Sequence, residues 1–259
     1  MSPSNKVILE TSYRVMVSGQ CIFYRVACVQ PCGTGGGSPL VLLHGHGVSG
    51  AIWQRVLPFL AQHRQVLIVD LPGHGRSKFT GTWRLREIAP LLVRWLQQME
   101  LPSVVLMGHS MGGAIAIHLT ASAPELIDRL VLVDAGGMPL SAPFPTLAAR
   151  AIGSFFQPGN GSFPPQVLRD HLLTPTHLLW QSALEMAKSD FRAELALISV
   201  PTLIIWGEHD LLLPLTLGQE LHTALPHATF VTMPQSGHRP MLTQPAAFSQ
   251  IVLRFLQQG

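Results

Sequence analysis

Short apolar runs at Leu40 to Leu43, Val66 to Val69, Val104 to Met107, Leu130 to Val133 and Thr202 to Trp206 punctuate the chain, alternating with segments of helical period. A run that is apolar at every position has no polar face to turn to water, so it reads as a strand buried on both sides. Alternation of such strands with helices predicts an α/β fold, a mostly parallel sheet covered on both faces. The helical segments carry the matching stripe. Leu85, Ile88, Leu92, Trp95, Leu96 and Met99 share one face, as do Phe248, Ile251, Val252, Phe255 and Leu256. Pro245 suits the first turn of the last helix, whereas Pro90 inside the earlier one predicts a late start or a kink. Ahead of these, Val7 to Val17 and Cys21 to Val29 are β-rich, and Ser18-Gly19-Gln20 between them reads as a hairpin turn.

The rhythm stops between Met138 and Ala196. Residues 138–168 hold one charged side chain, Arg150, with six prolines and four phenylalanines, and helical spacing returns over Pro175 to Leu197. This predicts a small, mostly helical cap, residues 138–196, inserted into a core made of residues 1–137 and 197–259. Composition matters here for where it is uneven. The 259 residues are 47% hydrophobic and 12% charged, which excludes disorder. The charge deficit is deepest in the insertion, where apolar walls would receive a lipophilic group.

Other function classes are disfavoured on specific grounds. The net charge is +3, but Lys and Arg are scattered and form no basic run, so no nucleic-acid partner is expected. The glycines from Gly33 to Gly37 lead into a strand, with neither a following helix nor a Walker lysine, and read as a loop instead of a phosphate cradle. Cys21, Cys28 and Cys32 are odd in number and in no C-x-x-C spacing, which predicts reduced thiols and a cytoplasmic protein. No secretory signal is legible in residues 1–20. Apolar stretches such as Ala196 to Trp206 fall well short of the roughly 18 residues a spanning helix needs, so no integral membrane segment is expected.

The most specific local feature is Gly108-His109-Ser110-Met111-Gly112, a G-x-S-x-G sequence between the strand Val104 to Met107 and the helical segment Gly113 to Ala121. That context forces a sharp turn that presents the serine hydroxyl at the carboxyl edge of the sheet. A bland alternative is a turn that binds phosphate or merely reverses the chain. Other residues argue against it. A serine hydroxyl needs a histidine base, and the base needs a carboxylate to fix its tautomer. Asp210 follows the strand Thr202 to Trp206, and His238 follows the strand Thr229 to Met233. The chain order serine, acid, histidine and the shared sheet edge make Ser110, Asp210 and His238 the candidate triad. Two backbone N–H donors should face the developing oxyanion, one from Met111 and one from His46 in the loop His44-Gly45-His46-Gly47. His44 and His46 have no HExxH helix or carboxylate partner, so no metal is expected, and no cofactor.

These motifs together resemble the α/β-hydrolase superfamily, over nearly the whole chain from His44 through Ser110 and Asp210 to His238. Within that resemblance Leu43 to Gly47 is similar to the oxyanion loop, Asp70 to Ser77 to a structural loop, and Gly108 to Gly113 to the elbow of carboxylesterases and monoacylglycerol-type lipases. The resemblance implies an eight-stranded, mostly parallel sheet with strand two antiparallel and a helical cap after strand six. It also implies a serine carboxylesterase acting on a small-molecule ester. Haloalkane dehalogenases and epoxide hydrolases of this fold carry Asp where Ser110 stands. C–C bond hydrolases and cofactor-free haloperoxidases or perhydrolases share the triad, and a non-catalytic ligand-binding homologue is the rival of another class. Asp134 occupies an alternative acid position in the family, and Asp70 also ends a strand, but chain order favours Asp210. Glu208, His74 and His109 are expected to serve solvent or packing, and Gln244 departs from a frequently acidic family position near the last helix.

Overall fold

The computed structural model describes residues 8–29, 37–140, 145–146, 149–150, 153–154 and 164–258. Strands β1 (Ile8–Val17) and β2 (Gln20–Val29) pair antiparallel, with Val17 opposite Gln20. Ser18 and Gly19 between them have φ of 49° and 79°, the backbone that a two-residue type I′ turn requires. The strands β3 (Leu40–Leu43), β4 (Val66–Val69), β5 (Val104–His109), β6 (Ile127–Val133), β7 (Thr202–Gly207) and β8 (Thr229–Met233) follow. All lie in one eight-stranded sheet of order β1-β2-β4-β3-β5-β6-β7-β8. β2 is antiparallel to β4, and the pairings from β4 through β8 are parallel. This is the sheet expected from the sequence, including its reversed second strand.

Helices among the described residues include α1 (Leu57–Leu60), α2 (Leu85–Gln98), α3 (Met111–Ser122), α4 (Pro165–Leu173), α5 (Thr176–Lys188), α6 (Arg192–Leu195), α7 (Leu215–Ala224), α8 (Pro240–Thr243) and α9 (Pro245–Leu256). Side chains alternate across a strand, and the core divides accordingly. Val41, Leu43, Leu67, Val69, Leu106 and Leu132 join the α2 and α3 side chains in one cluster. Leu40, Leu42, Val66, Ile68, Val105 and Val133 join Trp53, Leu60, Phe248 and Val252 in a second. Both faces of the central strands are therefore dry, which is why their sequence is apolar without interruption. Each fully buried Leu, Ile or Val contributes about 1.5–3 kcal/mol relative to exposure.

One alternative drops out and one expectation is corrected. Of the late start or kink expected at Pro90, the late start is excluded, since α2 starts at Leu85 and runs to Gln98 with Pro90 in its interior. Pro90 is half-buried and the carbonyl it deprives of a partner belongs to exposed Arg86, which water can satisfy. Cys28 is disulfide-bonded, whereas Cys21 is free. The expectation of reduced thiols fails at Cys28, and the inference of a reducing compartment loses its ground with it. Residues 30–36, with most of the Gly-rich loop, lie outside the described residues, as does Cys32. α9 begins at Pro245 as expected, and Gln244 holds that start by donating from Nε2 to the Pro234 carbonyl at 2.5 Å.

Between β6 and β7 stand α4, α5 and α6. Their attachment to the rest of the chain is specific. Phe191 is buried and its N–H donates to the Gly137 carbonyl at 2.8 Å. Arg86 pairs with Glu194 at 2.6 Å. α2 lacks a side-chain cap of its own; Glu185 of α5 accepts from the Leu85 N–H at 3.1 Å and supplies one from outside. Among the described residues no helix is long and apolar enough to cross a membrane.

Candidate active site

The turn from β5 into α3 is dictated by sterics. Ser110 sits at φ 53° and ψ −117°, a conformation that non-glycine residues hold only at a cost of about 1–3 kcal/mol. A Cβ on Gly108 would lie 2.3 Å from the Gly112 carbonyl oxygen, and one on Gly112 would lie 2.5 Å from that of Leu43. A Cβ on Gly113 would meet Ala135 Cβ at 2.5 Å. The glycines thus let strand, turn and helix pack backbone to backbone. The Ser110 carbonyl accepts from Gly136 N–H at 2.9 Å, and its own N–H donates to Val133 at 3.0 Å, so β6 braces the turn. Met111 opens α3, and the first amides of a helix have no partner within it. The loop after β3 passes directly against the serine, since a Cβ on Gly45 would stand 3.2 Å from Ser110 Cβ.

The three candidate catalytic side chains are all buried, at 6% exposure for Ser110 and 5% for Asp210 and His238. His238 Nδ1 donates to Asp210 Oδ2 at 2.7 Å, which leaves Nε2 as the acceptor. Asp210 Oδ1 in turn accepts from the N–H groups of Leu212 and Leu213 at 2.8 and 2.9 Å. Close approach of the two loops depends on Gly207, where a Cβ would lie 2.1 Å from the Gly237 carbonyl oxygen. Ser110, His238 and His46 line one cavity of about 230 Å³, with Val48, Ile52 and Leu212 among its apolar walls.

The remaining histidines and acids are held for other work. His109 Nε2 donates to the His238 carbonyl at 2.8 Å. Burial, then the neighbouring His238, pushes its pKa well below the ordinary imidazole value, so it is a neutral strut for the His238 backbone. His44 donates from Nδ1 to Gly45 O at 2.7 Å and accepts at Nε2 from Leu71 N–H at 2.8 Å. Burial lowers its pKa to about 4. Both its ring nitrogens are occupied, which leaves none for a metal. Asp70 accepts from Gly50 and Arg76 N–H at 2.9 and 2.8 Å and ties two loops together. Glu208 is exposed.

Asp134 is the residue whose surroundings the sequence did not disclose. It is fully buried, its Oδ1 accepts from Gly207 N–H at 2.8 Å, and its carboxyl faces that of Asp210. Its pKa is raised well above the carboxylate range, first by burial and then by the charge of Asp210. Ligand atoms of Asp134, Asp210 and His238 lie within 4.8 Å of one another. This is the one group among the described residues with three candidate metal ligands so placed, and the His238–Asp210 hydrogen bond already uses two of them. Arg239 was also missed. It is 4% exposed, lines the same cavity and donates to the Ser154 carbonyl at 3.1 Å. Burial lowers its pKa to about 10 against the opposing pull of Asp210 and Asp134.

Comparison with known proteins places this arrangement. Residues 40–251 match the model of the alpha/beta hydrolase family. The chain belongs to that family. As an alpha/beta hydrolase it is 31% identical over 253 residues to a pimeloyl-[acyl-carrier protein] methyl ester esterase of Yersinia enterocolitica, covering 88% of this chain and 96% of that protein. A hydrolase from Pseudomonas aeruginosa superposes with a TM-score of 0.80 at 27% identity, over 95% of this chain and 98% of the other. An enol-lactonase from Burkholderia xenovorans shares the fold, with a TM-score of 0.81 at 22% identity over 95% of this chain and all of that one. The family match spans the loop after β3, Ser110, Asp210 and His238.

Proposed function

We propose that this alpha/beta hydrolase is a serine ester hydrolase acting on carboxylic esters through an acyl-enzyme. The observation that carries the reading is the hydrogen bond from His238 Nδ1 to Asp210, with His238 and the strained Ser110 facing one cavity. Ser110 Oγ attacks the acyl carbon while His238 Nε2 takes its proton, and Asp210 stabilises the imidazolium. Collapse of the tetrahedral intermediate breaks the C–O bond, and His238 returns the proton to the leaving alcohol. Water then repeats the sequence on the acyl-enzyme and frees the acid. The backbone N–H groups of His46 and Met111 receive the oxyanion, each worth about 2.7–4 kcal/mol by comparison with a donor removed elsewhere.

The relative from Yersinia, named as a methyl ester esterase, supports the ester bond as the target. In this reading residues 138–196 are the cap, and the walls of Val48, Ile52 and Leu212 receive a lipophilic acyl or aryl group. The test is a series of p-nitrophenyl esters of rising acyl length with purified parent and Ser110→Ala, alongside fluorophosphonate labelling. The parent should be labelled and cleave the apolar esters, and the variant should lose on the order of 10⁶ in turnover. Near-parent turnover by Ser110→Ala would overturn the assignment.

A further inference from the structure

The loop that carries His46 is not held by the core alone. His46 Nε2 donates to the Leu179 carbonyl of α5 at 2.9 Å. His171 Nδ1, on α4, donates to the Gly47 carbonyl at 2.7 Å. Ser49 donates to Asp170, also on α4. Within four consecutive residues the loop is thus fastened three times to the β6–β7 insertion, across sequence separations of 133, 124 and 121 residues. Gly47 is the pivot. Its φ is +65°, and a Cβ there would lie 2.8 Å from His171 Nδ1, so the imidazole fits against the backbone with no room for a side chain between.

The Gly47 carbonyl belongs to the peptide unit joining Gly47 and Val48, and one further unit, joining His46 and Gly47, separates it from the unit whose N–H is assigned to the oxyanion. Holding the Gly47 carbonyl and the His46 ring anchors the loop just after the His46 Cα and at its side chain, which restrains the direction of the His46 N–H. We infer that His171 is a positioning residue for ester hydrolysis, acting through the Gly47 carbonyl to aim the His46 amide at the oxyanion. The inference rests on the ester-hydrolase reading above. The insertion then does more than wall the cavity, because it completes the charge-stabilising half of the site.

His171 also lines the cavity, so the test must separate a donor from a wall. Asn carries its amide nitrogen where His carries Nδ1, and Leu keeps bulk without a donor. His171→Leu should lower kcat on p-nitrophenyl butyrate by about 10- to 100-fold, the scale of a small misplacement at a reacting centre, with KM little changed. His171→Asn should restore most of the loss. Affinity for an alkyl trifluoromethyl ketone, which forms the oxyanion on Ser110, should fall with kcat in the Leu variant and recover in the Asn variant. His46→Gln, which keeps a donor at the Nε2 position, should outperform His46→Leu, and the losses in the His46→Leu/His171→Leu pair should be less than additive. A loss that follows bulk, with Asn impaired and Leu intact, or a change confined to KM, would overturn the inference. Hydrogen exchange at residues 45–49, faster in His171→Leu than in the parent and in His171→Asn, reads the same clamp without turnover. Failure of the parent to cleave esters or take up fluorophosphonate would sink the ester reading only, and unchanged exchange would then sink the clamp by itself.

Discussion

Asp134 and Asp210 follow adjacent strands of one sheet, β6 and β7, and stand close enough to compete for one histidine, yet their surroundings differ. Asp210 accepts three hydrogen bonds, from two loop amides and from His238. Asp134 accepts one, from Gly207, and is wholly desolvated. Burial first, and then the neighbouring Asp210, disfavour a charge on Asp134 and raise its pKa well above the carboxylate range. On the ester-hydrolase reading, identity of side chain and nearness to the base do not make a catalytic acid; the local supply of N–H groups does.

The contrast can be broken most directly at Asp210. Asp210→Asn should lower turnover by about 10⁴, the cost of presenting the wrong histidine tautomer to the nucleophile in a serine triad. Activity within a factor of ten of the parent would mean that another group, with Asp134 first in line, orients His238. Asp134→Asn should leave turnover near that of the parent, because the amide imitates a carboxyl that is already neutral. A loss comparable to that of Asp210→Asn would show that the charge resides on Asp134.

The smallest effect is on stability against pH. Folded Asp134 keeps a proton that the unfolded chain releases above about pH 3.9, so folding takes up a proton and this group's contribution to stability declines as pH rises toward its raised folded value. The slope is at most about 1.4 kcal/mol per pH unit. Asparagine abolishes it, and the thermal midpoint of Asp134→Asn relative to the parent should improve from pH 5 to 8. Buried His44 and His74 slope the other way, since they stay neutral down to about 4 and about 3, but they cancel in the difference between variant and parent. A constant difference across that range would remove the shared-proton account.

What the sequence disclosed follows the same logic of local against distant causes. The strands were legible because Leu40–Leu43 and its counterparts are buried on both faces, and the elbow because Gly108, Gly112 and Gly113 answer steric demands set within a few residues. Asp210 and His238 were legible from chain order and strand ends. The pairing of Asp134 with Asp210 depends on the register of β6 against β7, in which Val133 stands opposite Ile205, and no local pattern encodes it. The fastening of His46 and His171 bridges more than a hundred residues. Arg239 offered one faint signal, a charge directly after the base histidine, which does not distinguish a solvent-facing residue from one lining the cavity. The choice between a late start and a helix running through Pro90 stayed open because the exposure of Arg86, which decides the cost, is a tertiary fact.

The backbone of Ser110 has an evolutionary consequence. Glycine at that position would hold the same turn without the strain that the serine sustains at φ 53°. Drift toward greater stability therefore runs directly against the hydroxyl. If Ser110 is the nucleophile proposed above, a lineage released from the need for turnover would have a single-step route to a sturdier and chemically silent protein.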